Sequence, residues 1–321
     1  INDQANQSVR FASTRATVAF LLANEGENEI TSRFQHLLTG VLSTVAESST
    51  TQDDDTLLKC LVDLAENTPK YLRHQLENVF NLCLKILGDA EMGDQWRQLS
   101  LEVIVTLSET APAMVRKLGA KFLNLLIPQI LSLMVDLEED EDWAKADDIE
   151  EDDNDSNAIA GESALDRLAC GLGGKTMLPH IISNVPQLLA NGDWRYRHAA
   201  LMAISACGEG CHKQMEQMLN NIVEAILPFL QDPHPRVRYA ACNALGQMST
   251  DFGPVFQKKF HEKVVPGLLV VMDDHPHPRV QAHAGAALVN FSEDCPKSIL
   301  TPYLDPIICK LEQVLSSKLK E

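Results

Sequence analysis

LQDPHPRVRYAACNALGQM, residues 230–248, sets one acid, two prolines, one histidine and two arginines ahead of a run of small apolar residues. Taken alone, the polar cluster suggests a clamp for a metal or a phosphate. The stretch has a successor, however. In HPHPRVQAHAGAALVNF, residues 275–291, Pro276, Pro278, Arg279 and Val280 fall on Pro233, Pro235, Arg236 and Val237 at an offset of 43. Upstream, GDWRYRHAALMAISACG lays Arg197 on Arg238 at an offset of 41, and residues 93–109 (with Arg97) and 8–23 are fainter copies. Five points that fit one period near 40 describe a repeat array.

Each copy runs from an apolar helical stretch through a short turn of Asp, Asn, Pro or Gly into a second helix. First helices are expected near 28–46, 71–87, 118–135, 175–188, 213–230 and 254–272. Second helices are expected near 53–67, 94–110, 157–170, 193–209, 235–250 and 278–293, with half-units at 3–25 and 297–319. Short connections make paired helices antiparallel. Neither helix buries its apolar stripe alone, so the pairs must stack into one core. The predicted fold is all-α, a right-handed superhelical solenoid of antiparallel helix pairs over residues 1–321.

Within a copy, Ala199, Ala200, Ala240 and Ala241 let neighbouring helices approach closely, and the prolines fit the turn and the first helical positions. Asp232 is placed to cap free N–H groups. Arginines near a helix N-terminus oppose the helix dipole. Arg97, Arg197, Arg236, Arg238 and Arg279 therefore need acidic partners from the turn of the same or the next repeat. Asn191 stands where Asp232 stands in its own copy, which weakens the ladder there.

The composition agrees with a helical interaction protein. Leucine, alanine, glutamate and lysine favour helix, and aromatics are only 5%. A formal net charge of −18 argues against nucleic acid as a direct partner and for basic ones. Eight cysteines at irregular spacing among apolar neighbours read as buried thiols. No basic leader and no apolar run of 18 residues is present, so no membrane association is expected, and the chain opens at Ile1 as a fragment would.

One spacing breaks the rhythm. Between the first and second helices of the third pair lies DLEEDEDWAKADDIEEDDND, residues 136–155, with thirteen acids against one lysine. Removing its charge of −12 leaves −6 for the rest. The insertion, bounded at 136–156, is read as an electrostatic contact for a basic surface. Its carriers are Asp136, Glu138, Glu139, Asp140, Glu141, Asp142, Asp147, Asp148, Glu150, Glu151, Asp152, Asp153 and Asp155. Trp143 and Ile149 add apolar points that a purely solvating loop does not need.

Other apparent sites fail on their own terms. Asp153, Asp155 and Asn157 alternate as in a calcium loop, but Ala158 replaces its glycine and Ala164 its bidentate glutamate. CGLGGKT, residues 170–176, lacks the first glycine of a phosphate loop and follows a helix, so its glycines end that helix. Cys207, Cys211 and His212 have no fourth ligand for zinc. His234, His275, His277 and His283 are expected as exposed or turn residues, too far apart for one metal. No nucleophile stands in a strand–turn–helix context. No catalytic residue, cofactor or metal is therefore assigned.

The repeats resemble HEAT repeats, and more narrowly those of importin-β-family karyopherins of the karyopherin β-3 type. The residues that carry this are Asp232 to Ala241 with Gly246, the unit Trp194 to Ala199, the acidic loop with Trp143, and the stretches SALDRLACGLGGK, EGCHKQMEQ, FQKKFHEK and EDCPKS. The resemblance implies a nuclear transport receptor that shuttles between cytoplasm and nucleus, binding lysine-rich nuclear localisation signals and releasing them to Ran-GTP. It further implies nucleoporin contacts in the full-length protein. In the family, second helices line the cargo surface and the acidic loop takes part in Ran contact or cargo release. Candidate cargo-facing acids near second-helix ends are Asp63, Glu66, Glu102, Glu109 and Glu209. Only six pairs and two half-units are present, without the amino-terminal repeats that grip Ran, so Ran binding by this piece is expected to be weak. Competing functions are a HEAT scaffold for an enzyme complex and, with no supporting residues, an enzyme.

Overall fold

The computed structural model describes residues 1–145 and 156–318, and every regular element among them is helical. In chain order the main helices are α1 (Gln7–Ala23), α2 (Leu38–Thr51), α3 (Thr56–Asn67), α4 (Leu76–Leu87), α5 (Asp94–Thr110), α6 (Ala120–Met134) and α7 (Asn157–Leu172). They continue with α8 (Gly174–Leu189), α9 (Trp194–Ala206), α10 (Leu219–Ile226), α11 (Pro235–Asp251), α12 (Val255–Val271), α13 (Pro278–Glu293) and α14 (Lys297–Lys318). No helix among the described residues is long and apolar enough to cross a membrane.

By its contacts the chain divides into two units, Ile1–Ile130 with Cys170–Thr176 and Leu131–Ala169 with Met177–Glu321. In the first, α1, α3 and α5 pack side by side, α2 packs on α4, and α4 backs α5. In the second, α9, α11 and α13 form the corresponding row, with α12 behind α13 and α14 beside α12. Like packs on like, because each pair leaves its stripe for the next pair to cover.

The second helices α3, α5, α7, α9, α11 and α13 fall where the repeat pattern places them. The first helices differ, since several are broken. Short turns at Asn28–Arg33, Pro69–Leu72, Pro112–Arg116 and His212–Met215 precede α2, α4, α6 and α10. Two of these turns start on proline, which helps set each corner. Interior prolines also belong to first helices and to the closing half-unit: Pro128, Pro179 and Pro186, Pro266, then Pro302 and Pro306. Second helices have proline only at N1, as Pro235 and Pro278, and keep their hydrogen-bond ladders intact. Helix α9 stops at Ala206, short of the expected 209, because two glycines follow within four residues.

Small residues set the spacing of that row. Ala199, Ala200, Ala240, Ala241 and Ala284 are fully buried. A Cβ added at Gly246 would lie 3.1 Å from both Cα and Cβ of Ala287, so α11 and α13 have no room for a larger side chain there. All eight cysteines are free thiols, but Cys170 and Cys309 are exposed, contrary to the expectation that all are buried. The Cys309 side of α14 faces solvent, as its neighbour Ile308 does.

At their N-terminal ends these helices are tied by arginines. Arg197 donates to both oxygens of Asp232 (2.8 and 3.0 Å) and to the carbonyls of Asn191 and Gly192 in its own turn (both 2.9 Å). One repeat on, Arg238 donates twice to Asp274 Oδ2 (2.9 and 2.7 Å) and to the carbonyls of Asp232 and Pro233 (2.7 and 3.1 Å). Each arginine thus holds its own turn and the acid of the next. Asp232 also accepts from the His234 amide. The cap on α11, however, is the His234 ring, which accepts from the Arg236 amide, and not Asp232 as the sequence suggests. In the first unit Arg97 pairs with Asp94 of its own helix at 3.6 Å and donates to the Leu87 carbonyl at 3.3 Å.

Arg197 and Asp232 are nearly buried, at 12% and 7% side-chain exposure. Removing one partner leaves the other charge stranded. Asp232→Ala should cost about 3 kcal/mol of stability. The double change Arg197→Met with Asp232→Leu should cost less than that single change, as read by thermal or urea unfolding.

Candidate functional site

The body of α7 and the C-terminal ends of α9 and α11 line a cleft of about 470 Å³ in the second unit. Helix α7 contributes Ile159, Glu162, Ser163 and Asp166; α9 and its end contribute Ser205, Ala206 and Glu209; α11 contributes Asn243, Gln247 and Asp251. Among the described residues that line it, four are carboxylates and none is a lysine, arginine or histidine. Asn243 is fixed by donating to Ser205 Oγ (3.0 Å) and by His283 Nε2 on its oxygen (3.1 Å). Gln247 donates to Asp251 Oδ1 at 2.9 Å, whereas Asp251 Oδ2 is buried with no hydrogen-bond partner. Gly208 makes space for it, since a Cβ there would collide with the Asp251 carboxylate.

The electrostatics of the cleft are those of clustered, partly buried carboxylates. Burial, and then repulsion from Asp166, pushes the Glu162 carboxyl up to about 7. Burial also raises Asp251, with Glu209 and Asp166 adding repulsion and Gln247 opposing it. Both shifts have the sign that a bound positive charge would reverse.

Of the five acids singled out from sequence, the structure brings only Glu209 into this cleft. Asp63 and Glu66 lie exposed on α3, Glu109 exposed and Glu102 half-buried on α5, all in the first unit. Glu162, Asp166 and Asp251 were missed, although two signals marked them. Glu162 and Asp166 stand four apart on one helical face, a like-charge pair that destabilises a helix unless used. Asp166, Glu209, Asp251 and Asp294 recur at offsets of 43, 42 and 43, the period of the array. Carrying one register position through the repeats finds the column.

A second constellation occupies the opposite ends of α9, α11 and α13. Arg195, Arg236 and Arg279 are each the second residue of their helix. The first half of the acidic insertion lies across them as a strap. The Leu137 carbonyl accepts from Arg195 Nε (2.7 Å). Glu139 accepts from Trp194 Nε1 (2.6 Å), contacts His234 Nε2 (3.1 Å) and lies 3.9 Å from Arg195. These contacts hold the Glu139 carboxyl below its usual range, with the His234 and Trp194 hydrogen bonds the main causes. Trp143 places its ring against two guanidinium groups, 4.6 Å from Arg236 and 4.5 Å from Arg279, and edge-on to Tyr239.

The arginines therefore fall into two classes that sequence does not separate. Arg197 and Arg238 tie repeats together, while Arg236 and Arg279 meet the strap. The histidines also differ from expectation. His234 stacks flat on Trp194 at 4.0 Å and His283 on Tyr239 at 3.8 Å, so both are packed and not solvent-exposed. Burial, and then Arg279, push His283 down to about 4. His277 contacts Asp274, and His275 is exposed.

Along the strap, Asp136 accepts from Asn157 (2.8 Å) and Asp142 pairs with Lys145; Glu138, Asp140 and Glu141 are exposed. Asp147, Asp148, Ile149, Glu150, Glu151, Asp152, Asp153 and Asp155 lie outside the described residues. Cys207 and Cys211 are buried beside Met215 at the end of α9. Gly173, at φ +82°, ends α7 and lets α8 begin at Gly174.

Three family models match consecutive parts of the chain: "IPO5-like, TPR repeats" over residues 1–82, "Importin repeat" over 89–179 and "HEAT-like repeat" over 194–248. Importin subunit beta-3 of Saccharomyces cerevisiae is 32% identical over 98% of this chain, which spans 29% of that relative. Kap121p bound to Pho4p superposes with a TM-score of 0.89 at 31% identity, covering 98% of this chain and 31% of that one. Kap121p bound to RanGTP gives 0.87 at 30% identity, with 96% and 31% covered. The chain thus spans about a third of the length of the relatives it matches. Repeat period, helix order and these likenesses agree: the chain is a HEAT-repeat segment of the importin-β family of karyopherins.

Proposed function

We propose that this segment binds lysine-rich nuclear localisation signals of cargo proteins through the acidic cleft on α7, α9 and α11, within a receptor that shuttles between cytoplasm and nucleus. The observation that supports it is the cleft itself: Glu162, Asp166, Glu209 and Asp251 gathered on one surface, and one buried Asp251 oxygen without a hydrogen-bond partner. A lysine ammonium carries three donors on a slender four-carbon stem, which suits a narrow cleft of separate carboxylates better than a planar guanidinium does. The likeness to Kap121p, whose solved complexes include Pho4p and RanGTP, favours release by Ran-GTP in the full-length protein. Nucleoporin contacts belong to the same reading, as does the absence of a catalytic step. So does a single continuous array over 1–321, with 136–156 as its insertion and exposed acids such as Glu138 and Glu141 open to basic partners.

A fluorescent lysine-rich peptide should bind with an affinity that falls steeply as salt rises, because the contacts are between charges. Glu209→Gln with Asp251→Asn should weaken it about tenfold or more. Affinity that is flat in salt and unmoved by those changes would sink the assignment.

The Glu162 shift makes a signed prediction. With a folded value of about 7 against 4.5 for an ordinary glutamate, the folded chain holds a proton that the unfolded chain has released. The stability contributed by the neutral carboxyl is fully present below about pH 4.5 and is lost as pH rises through about 7. Glu162→Gln should therefore raise the melting temperature at pH 8 and leave it unchanged near pH 4. Peptide binding should move the other way. In the parent, affinity should strengthen from about pH 6 to pH 8 as Glu162 ionises, and in Glu162→Gln it should be weaker and nearly flat.

A further inference from the structure

The strap is held on the arginine stripe by contacts of a recognisable kind. A carboxylate, that of Glu139, sits where Trp194 Nε1, His234 Nε2 and Arg195 converge. Four residues later an indole lies against Arg236 and Arg279, and its backbone carbonyl accepts from Arg279 at 3.4 Å. The strap itself has little regular structure. From 136 to 145 it forms one short turn, Trp143–Lys145, and only Ala144 is buried. The surface beneath is more firmly built. Arg279 is 7% exposed, Trp194 is 8% exposed and stacked by His234, and Tyr239 is stacked by His283.

We propose that Arg195, Arg236 and Arg279, with Trp194, His234 and Tyr239, form a binding surface for an extended acidic peptide segment of a partner protein, with an aromatic residue four positions after a carboxylate. The strap Leu137–Trp143 is the built-in occupant that such a segment displaces. The carboxylate and indole of the strap show which chemistry each half of the surface accepts. The three arginines recur at one position in three consecutive repeats, at helix ends where the dipole disfavours cations. The ion pairs that tie consecutive repeats are made by Arg197 and Arg238, two residues beyond Arg195 and Arg236. Their common task is the surface they make. The strap is tethered on the same chain at high effective concentration, so a partner must match both anchors to exchange with it. This inference is independent of the lysine-binding cleft, which lies at the other helix ends and takes the opposite charge.

The test uses a labelled peptide with the sequence of residues 136–145, DLEEDEDWAK, added in trans to the intact chain. Glu139→Ala with Trp143→Ala in the chain loosens the built-in occupant, and the peptide should then bind about tenfold more tightly than to the parent. Adding Arg236→Ala and Arg279→Ala should abolish that gain while lysine-peptide binding persists, which reports a folded cleft. If the variants do not fold, hydrogen exchange on the parent decides: saturating peptide carrying Trp→Phe should speed exchange of the amides of 137–145. No binding to a folded strap variant, binding that survives loss of both arginines, unaltered exchange at saturating peptide, or preference for a single-stranded oligonucleotide over the peptide each overturns the proposal. Lysine-peptide binding is scored separately, so failure of one site does not decide the other.

Discussion

The close, in-register stacking of α9, α11 and α13 is the constraint on which the rest depends. Buried alanines and Gly246 leave these helices no freedom to slide. Their like ends therefore stay together, and whatever residue type recurs at one repeat position becomes a column in space. Arginines gather at the N-terminal ends, and Glu209 and Asp251 stand at the C-terminal ends of α9 and α11, whereas Glu162 and Asp166 lie inside α7. Both signs are wrong for the helix dipole, by a few tenths of a kcal/mol to about 1 kcal/mol per charge near a helix end. A fold selected for stability alone would place them the other way round. At the arginine end those charges meet the strap.

Each end resolves its unfavourable charge differently. At the arginine end the chain supplies the counter-charges, with Asp232 and Asp274 inside the array and Glu139 on the strap. At the carboxylate end the cleft is left open, and its charge is reduced by a raised Glu162 carboxyl instead. A ligand that brings positive charge restores the ionised form and recovers the energy of that repulsion. Under the proposed reading, binding strength and intrinsic stability are set against each other in the same side chains.

The strap complicates a simple picture of the acidic insertion. Part of its charge, that of Glu139, is already engaged by Trp194, His234 and Arg195 of the same unit, so its count of acids overstates what it can offer a basic partner. Trp143 is the feature that distinguishes it from a solvating loop, and its seat between Arg236 and Arg279 shows why an aromatic is present.

Much of the fold was determined locally and was legible in sequence. Recurrence near a period of 40, with Pro-x-Pro-Arg-Val in two copies and fainter matches elsewhere, placed the second helices, because a repeat shows its own register and the N1 prolines Pro235 and Pro278 mark two helix starts. Breaks in the first helices were less visible, since one-turn segments with good helix formers on both sides leave no periodic trace. Which arginine ties a repeat and which meets the strap was decided only in three dimensions. Arg236 and Arg238 are two residues apart, about 200° around a helix, and face different neighbours. The acidic cleft is likewise a product of stacking. Asp166, Glu209 and Asp251 are some forty residues apart in the chain and become one site only because close helix packing brings successive repeats together.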